Sequence, residues 1–250
     1  MKQATTETYF NKHTPWYGAG TFGHVIKYLR ARATPNCSLL DVGCATGDLL
    51  CALREQTPIS TLAGLDVAEN YLAQCRQKSA CRQLYLGEIN NSAVVTQIGQ
   101  QFNYVTMGSV LHHVVGKTRR GSRALARQSL QNAWELVAPG GALAVVEPCF
   151  TPSFPMTVLF YTKRFFSLFT HDRITLLRRF DNNIGPPVVA YLLPRQLRAM
   201  CAGLPGSEIV HDTEELGTLT RGWKWVGIRK RTLHTLIIQK DLSGDTHATP

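Results

Sequence analysis

The chain has 250 residues, 44% of them hydrophobic, which is enough for one large domain with a buried core and excludes global disorder. Its formal net charge of +10 at pH 7 favours an anionic partner: nucleic acid, a phospholipid surface or an acidic small molecule. The polar residues 1–13 predict no secretory signal, and no apolar run is long enough to predict a membrane-spanning helix.

The cysteines indicate a compartment. Seven are scattered along the chain, and none forms a CxxC pair. Such a set is typical of reduced thiols in a cytosol-like compartment and offers no metal-ligand spacing. We therefore expect a cytoplasmic protein without a metal site.

Short apolar runs alternate with helical segments over residues 38–147. The spacing predicts helices at 48–55, 69–77 and 123–137, and strands at 38–43, 61–67, 82–87, 102–107 and 142–147. Strands that are apolar on both faces are typical of a parallel sheet covered by helices on each side. The sequence thus predicts a doubly wound α/β fold.

The pattern changes after Pro148, where prolines bracket a helical, aromatic and basic stretch at 156–180. We expect a further helix at 193–202 and closing strands at 208–210 and 232–239. These segments predict one domain over residues 1–240, with a helical cap inserted at 151–195 and a disordered tail at 241–250.

The inserted helix has an apolar stripe with an i, i+3, i+7, i+10 spacing, formed by Val158, Tyr161, Phe165 and Leu168. Lys163 and His171 fall on the opposite side. Three interpretations remain open: a helix docked on the core, an apolar acceptor pocket with a basic rim, and a helix lying on a membrane surface.

A candidate ligand-binding turn follows the first strand, where residues 39–48 read LLDVGCATGD. Gly43 and Gly47 permit a tight turn and a close approach of the backbone to a ligand. The GxxxG spacing lacks the middle glycine of the GxGxxG dinucleotide fingerprint, which disfavours a nicotinamide oxidoreductase.

Polar or flexible residues also follow the next three predicted strands. Asp66 ends the second strand, Glu88 follows the third, and residues 107–109 close the fourth. Asp66 has the position to accept both ribose hydroxyls of an adenosine ligand, or to cap the following helix. Open α/β sheets bind ligands at this carboxyl edge, so we expect one site there.

These motifs together resemble the class I S-adenosylmethionine-dependent methyltransferases, in the style of their small-molecule branch in quinone and natural-product biosynthesis. The resemblance rests on LLDVGCATGDLL, GLDVAENYL, LYLGEI, FNYVTMGSVLHHV and LVAPGGALAVVEP, and it covers residues 35–150 and the closing strand. It implies a Rossmann-like, mostly parallel seven-stranded sheet whose last strand is antiparallel.

The resemblance also implies that S-adenosyl-L-methionine is the cofactor, beneath a lid formed by residues 1–34. Two positions depart from the family pattern: Ala45 replaces a commoner glycine, and Glu88 stands where aspartate is commoner. The implied cofactor-binding residues are Tyr17, Asp41, Gly43, Cys44, Ala45, Gly47, Asp66, Val67, Glu88, Ile89 and Met107.

Candidate catalytic residues share the same sheet edge. His112 and His113 follow the fourth strand, and Glu147 ends the fifth. Each side chain can take a proton from an acceptor. A helix-start histidine packed under the cofactor, or a buried carboxylate bonded to backbone amides, is the alternative in each case. From the cap, we expect Tyr161, Arg164 and Phe165 to bind the acceptor.

The sequence therefore predicts methyl transfer to a small molecule, aromatic or lipophilic, in a biosynthetic pathway. An RNA or protein methyltransferase is the first alternative, because the chain is basic, although no nucleic-acid module is present and we expect no specific nucleic-acid binding. A non-catalytic S-adenosylmethionine-binding protein is the second. Peripheral membrane contact and the oligomeric state stay open.

Overall fold

The structure is a computed structural model that describes residues 19–78, 81, 83–167 and 187–242. The first 18 residues of the predicted lid, residues 168–186 of the predicted cap and residues 243–250 of the predicted tail lie outside these ranges. Among the described residues, no helix is long and apolar enough to cross a membrane.

Within the described ranges, seven strands form one sheet in the order β3-β2-β1-β4-β5-β7-β6. The strands β1 to β5 run parallel, and β7 lies antiparallel between β5 and β6. This arrangement confirms the predicted α/β fold and its antiparallel last strand. The strands are β1 Ser38–Val42, β2 Thr61–Asp66, β3 Gln83–Leu86, β4 Phe102–Gly108, β5 Val137–Thr151, β6 Ser207–Leu216 and β7 Lys230–Lys240.

Helices cover both faces of the sheet, because alternate side chains of the apolar strands point to opposite sides. The helices are α1 Gly23–Arg32, α2 Asp48–Gln56, α3 Glu69–Gln77, α4 Ala93–Ile98, α5 Arg119–Glu135, α6 Ser153–Phe166, α7 Pro194–Ala202 and α8 Arg221–Trp225. On β1, Leu39 packs in a cluster with Val25 and Leu53, whereas Leu40 packs on the other face with Leu130.

Several elements differ from the sequence predictions. The second half of the predicted lid contains α1, whose Val25 and Leu29 are buried in the core. The short helices α4 and α8 were not predicted, and β5 extends beyond 142–147 at both ends. Helix α5 begins at Arg119 rather than at residue 123, because the hydroxyl of Thr118 accepts the Gly121 N–H and caps its first turn.

The parallel topology brings the carboxyl ends of β1, β2, β3, β4 and β5 to one edge of the sheet. Segment 187–193, which follows the part of the cap outside the described residues, lies against this edge. Its Ala190 N–H donates to the carbonyl of His112 at 2.8 Å, and Leu192 bridges Cys149 of β5. The candidate residues of the following section are arranged along this edge.

Candidate functional site

The turn between β1 and α2 passes close to its neighbours. Gly43 and Gly47 adopt φ angles of +74° and +79°, in the left-handed region that glycine tolerates best. A methyl group added at Gly43 would collide with Val110, and one at Gly47 would collide with the Sγ of Cys75. The turn therefore leaves backbone, not side chains, at the sheet edge, as close contact with a ligand requires.

Asp41, two residues before the turn, is a buried carboxylate. Its Oδ1 accepts a hydrogen bond from the Thr106 hydroxyl on β4 at 2.7 Å. Burial outweighs this bond and raises the pKa of Asp41 to about 7. Cys44, the next predicted cofactor residue, is also buried, with its thiol packed over Gly64 of β2.

Asp66, at the end of β2, connects the loops that follow β1 and β2 by hydrogen bonds. Its Oδ2 accepts the Ala45 N–H and its Oδ1 accepts the Ala68 N–H, both at 2.9 Å. The side chain is largely buried, and burial raises its pKa in spite of these backbone bonds. A carboxylate has about four acceptor sites, and the N–H groups of Ala45, Val67 and Ala68 leave part of this capacity for a ligand hydroxyl.

The remaining predicted cofactor residues lie at the same edge. Val67 follows Asp66 and is half-buried, and Glu88 follows β3 and is exposed. Ile89 is buried, and its carbonyl accepts the Asn132 side-chain amide at 2.6 Å. Met107 is buried within β4. Tyr17 lies outside the described residues.

The hydroxyl of Ser109 is an unusual polar group at this edge. Ser109 follows β4 with a φ of 58°, and its hydroxyl is buried without a hydrogen-bond partner in the part of the chain that the structure describes. Buried polar groups nearly always have a partner, so this hydroxyl marks a place for a polar ligand or water. Together with the close turn and the open lone pairs of Asp66, it fits a nucleoside cofactor.

His112 and Glu147 form a buried pair between the end of β4 and β5. The Nδ1 of His112 lies 2.8 Å from the Oε2 of Glu147, and the Leu111 N–H donates to Oε1 at 2.5 Å. Burial raises the pKa of Glu147 to about 8 and lowers that of His112 to about 3. Both directions favour a pair that is neutral overall at physiological pH rather than a salt bridge.

The pair supports a short stack of rings. The His112 ring lies 4.9 Å from the Tyr191 ring, with an interplanar angle of 17°, and 4.0 Å from the His113 ring. His113 is less buried than His112 and has a pKa well below its ordinary value, chiefly because of burial and then because of His112 and Lys163. Its imidazole is therefore neutral, and the lowered pKa makes it a weak base in this environment.

Helix α6 docks on the core, but by the face opposite to the predicted apolar stripe. Tyr161 and Phe165 are 46% and 57% exposed, whereas Phe160 and Lys163 are buried. The ammonium of Lys163 donates to the carbonyl of Pro187 at 3.4 Å, and burial lowers its pKa to about 8. Leu168 and His171 lie outside the described residues.

The other predicted acceptor residue is Arg164, whose Nη1 donates to the carbonyl of Gly116 at 3.2 Å. This bond places α6 across the connection between the turn at Leu111–His113 and α5. Among the described residues, no group of His, Cys, Asp or Glu side chains is arranged to hold a metal ion.

Sequence reasoning missed two side chains of this region. Thr106 and Tyr191 act through partners 65 and 79 positions away, which local patterns do not reveal. Lys163 was expected opposite the apolar stripe, but its burial was not predicted, because a lysine is ordinarily assigned to the solvent face.

Comparison with known proteins also points to a methyltransferase. Residues 40–143 match the family described as Methyltransferase domain, in agreement with the methyltransferase motifs of that segment. No curated protein matches the chain.

Three solved structures share the fold. A magnesium protoporphyrin IX methyltransferase from Synechocystis, with bound S-adenosylmethionine, has 14% identity and a TM-score of 0.55, over 89% of this chain and 79% of that one. An S-adenosylmethionine-dependent methyltransferase from Anabaena variabilis has 20% identity and a TM-score of 0.58, over 94% and 93%. A protein of echinomycin biosynthesis, described by the conversion of a disulfide bond into a thioacetal group, has 14% identity and a TM-score of 0.56, over 95% and 90%.

The neutral state of the buried pair predicts a pH dependence of stability. The raised pKa of Glu147, about 8 against an ordinary 4.5, means that the folded state keeps a proton that the unfolded state has lost. Glu147 therefore contributes stability that is present below pH 4.5 and is lost as pH rises toward 8, by up to about 1.4 kcal/mol per pH unit, while the lowered pKa of His112 acts in the opposite direction below pH 6.5. The free energy of unfolding of wild type relative to Glu147→Gln should therefore fall between pH 4.5 and pH 8, as measured by urea unfolding at several pH values.

The exposed Glu135→Gln is the control and should keep the wild-type profile. If the profiles of wild type and Glu147→Gln run parallel between pH 4.5 and pH 8, Glu147 is ionised throughout and the neutral pair is contradicted.

Proposed function

We propose that this protein, whose residues 40–143 match the family described as Methyltransferase domain, transfers a methyl group from S-adenosylmethionine to a small-molecule acceptor. The observation that carries the proposal is the Asp66 carboxylate, held by the N–H groups of Ala45 and Ala68 beside the glycine turn. A carboxylate fixed in this way is preorganised to accept the hydroxyls of a ribose.

In this proposal, different residues around Asp66 bind different parts of the cofactor. Asp41 and the turn from Gly43 through Cys44 and Ala45 to Gly47 hold the methionine part, and the Met107 backbone receives its amino group. Val67, Glu88 and Ile89 contact the adenine, and Tyr17 covers the site. The cofactor, when bound, supplies an activated methyl group on a sulfonium, so the protein mainly contributes position and electrostatic environment.

On the acceptor side, we assign proton acceptance to the imidazole of His113. Because its lowered pKa makes it a weak base, it takes the proton late, once methyl transfer has made the acceptor more acidic. The buried pair of His112 and Glu147 acts indirectly, because its hydrogen bonds to the backbone fix the turn that presents His113. An uncharged pair holds this turn without placing a buried charge near the positive sulfonium.

The acceptor in this proposal is aromatic or lipophilic. Tyr161 and Phe165 present aromatic surface on α6, and the partly buried Arg164 supplies positive charge on the same helix. The solved structures with the same fold include a methyltransferase of magnesium protoporphyrin IX, a large aromatic compound, and a protein of echinomycin biosynthesis. We place the reaction in the cytoplasm, consistent with seven free cysteines.

Asp66→Ala should weaken the binding of S-adenosylmethionine at least about tenfold, because charge-assisted hydrogen bonds contribute roughly 1.5–3 kcal/mol each. Titration calorimetry measures the affinity, with circular dichroism to confirm that the variant is folded. The exposed Glu69→Ala, at the start of the next helix, is the matched control and should bind as wild type does. Unchanged affinity in a folded Asp66→Ala variant would remove the assignment.

The methyl acceptor can be sought directly. Incubation with methyl-labelled S-adenosylmethionine and fractionated host extract should place the label in the small-molecule fraction. Label that enters RNA or protein instead would replace the proposed acceptor class, and tight cofactor binding without any transfer would indicate a non-catalytic binding protein.

Phe165→Ala should lower turnover of the acceptor recovered from the extract, by roughly tenfold if the ring is covered by the acceptor. The affinity for S-adenosylhomocysteine should not change, and stability should change little because the ring is 57% exposed. The neighbouring exposed Thr162→Ala serves as the control. An equal loss of cofactor and acceptor binding would show that α6 is part of the general framework.

A further inference from the structure

Large apolar side chains are exposed where α6 and α8 meet. On α6, Phe154 is 75% exposed and Val158 is 51% exposed. At the end of α8, Trp225 is 90% exposed and Val226 is 52% exposed. Isolated exposed apolar residues are ordinary on protein surfaces, but aromatic residues grouped on adjoining elements mark an interaction site.

The two helices belong to one packed unit. A methyl group added at Gly227, next to Val226, would lie 3.5 Å from Pro155, next to Phe154. Beneath them, Phe150, Met156 and Ile228 form a small buried cluster. The two segments that carry the exposed residues are therefore packed on a common core.

The same surface is positively charged. Residues 217–231 contain five Lys and Arg and no acid, and residues 153–167 contain Lys and Arg but no acid. Arg221, Lys224 and Arg229 are exposed and form no ion pair among the described residues, whereas Lys230 pairs with Glu214. We name Phe154, Val158, Trp225, Val226 and these three free cations the aromatic-basic surface.

We propose that the aromatic-basic surface docks the protein onto an anionic phospholipid bilayer. Aromatic rings enter the boundary between headgroups and acyl chains, while Lys and Arg attract the anionic headgroups. A second copy of the chain is disfavoured as the occupant, because two copies of this surface would bring like charges together.

Docking through the aromatic-basic surface would affect how an acceptor reaches the candidate site. Helix α6 begins directly after β5, whose Glu147 lies at the candidate acceptor side. A lipophilic acceptor dissolved in the bilayer would therefore reach the protein on the side where methyl transfer is expected. This consequence rests on the proposed function, whereas docking itself does not.

Vesicle sedimentation tests the proposal on the full chain. Wild type should sediment with vesicles containing about one-third phosphatidylglycerol and remain soluble with phosphatidylcholine alone. Trp225→Ser and Phe154→Ser should each weaken binding to the anionic vesicles at least about fivefold, and added salt should weaken the binding of wild type. Leu242→Ser is the control, since Leu242 is 85% exposed but contacts Gly140 at the amino end of the sheet.

Tryptophan fluorescence adds a readout specific to the surface. The measurement uses a Trp16→Phe background, because Trp16 lies outside the described residues. Of the other three tryptophans, Trp134 is buried and Trp223 is partly buried, so insertion of the exposed Trp225 should dominate a blue shift of the emission on vesicle binding. Trp225→Phe should still sediment but lose most of the shift, because phenylalanine keeps the apolar contact.

Three results would overturn the proposal: wild type that stays soluble with anionic vesicles, Trp225→Ser and Phe154→Ser variants that sediment like wild type, or a dimer in light scattering that dissociates when Trp225 is replaced. Neither sedimentation nor fluorescence requires cofactor or acceptor. Docking can therefore fail while methyl transfer stands, and methyl transfer can fail while docking stands.

Discussion

The hydrogen bonds of Asp66 to the backbone of Ala45 and Ala68 connect the two strand ends on which the rest of the site depends. Ala45 has a φ of 46°, in the left-handed region that costs a residue with a side chain roughly 1–2 kcal/mol. A hydrogen bond to a charged acceptor contributes roughly 1.5–3 kcal/mol, enough to offset that cost. The carboxylate thus stabilises the glycine turn, and the backbone of that turn holds the carboxylate at the sheet edge.

A second constraint is the burial of ionisable groups on the side of β4 and β5. Asp41, His112 and Glu147 are all buried, and burial moves the pKa of each toward its neutral form. Their partners are hydroxyl, imidazole and backbone N–H groups rather than opposite charges. The turn that carries His113 is therefore held by neutral hydrogen bonds, which retain their geometry without the desolvation cost of a buried ion pair.

The sequence was most informative where a single local rule governs the structure. The apolar runs of β1, β2 and β5 and the glycines of the first turn predicted the sheet and its ligand edge, because parallel strands must be apolar on both faces. It was least informative on α6. Its stripe of Val158, Tyr161 and Phe165 is exposed, since Met156 and Phe160 fill the core instead. Which face of a helix with apolar residues all round is buried depends on distant packing, which periodicity does not contain.

The same limit explains the contacts that bring distant residues together. The ring of Tyr191 stacks on His112 only because segment 187–193 returns to the end of β5, and nothing local to either residue indicates that return. The aromatic-basic surface is similar: the segments that carry Phe154 and Trp225 pack on one buried cluster of Phe150, Met156 and Ile228, although they are distant in sequence. The cofactor edge could be predicted from strand ends, whereas the acceptor side required the tertiary structure.

A crystal structure of the protein with S-adenosylhomocysteine is the most direct measurement of the central claim. The account predicts both ribose hydroxyls within about 3 Å of the Asp66 carboxylate oxygens, with the backbone of the turn at Gly43 and Gly47 against the amino-acid part. A nucleoside bound elsewhere, or one whose ribose makes no contact with Asp66, would contradict it.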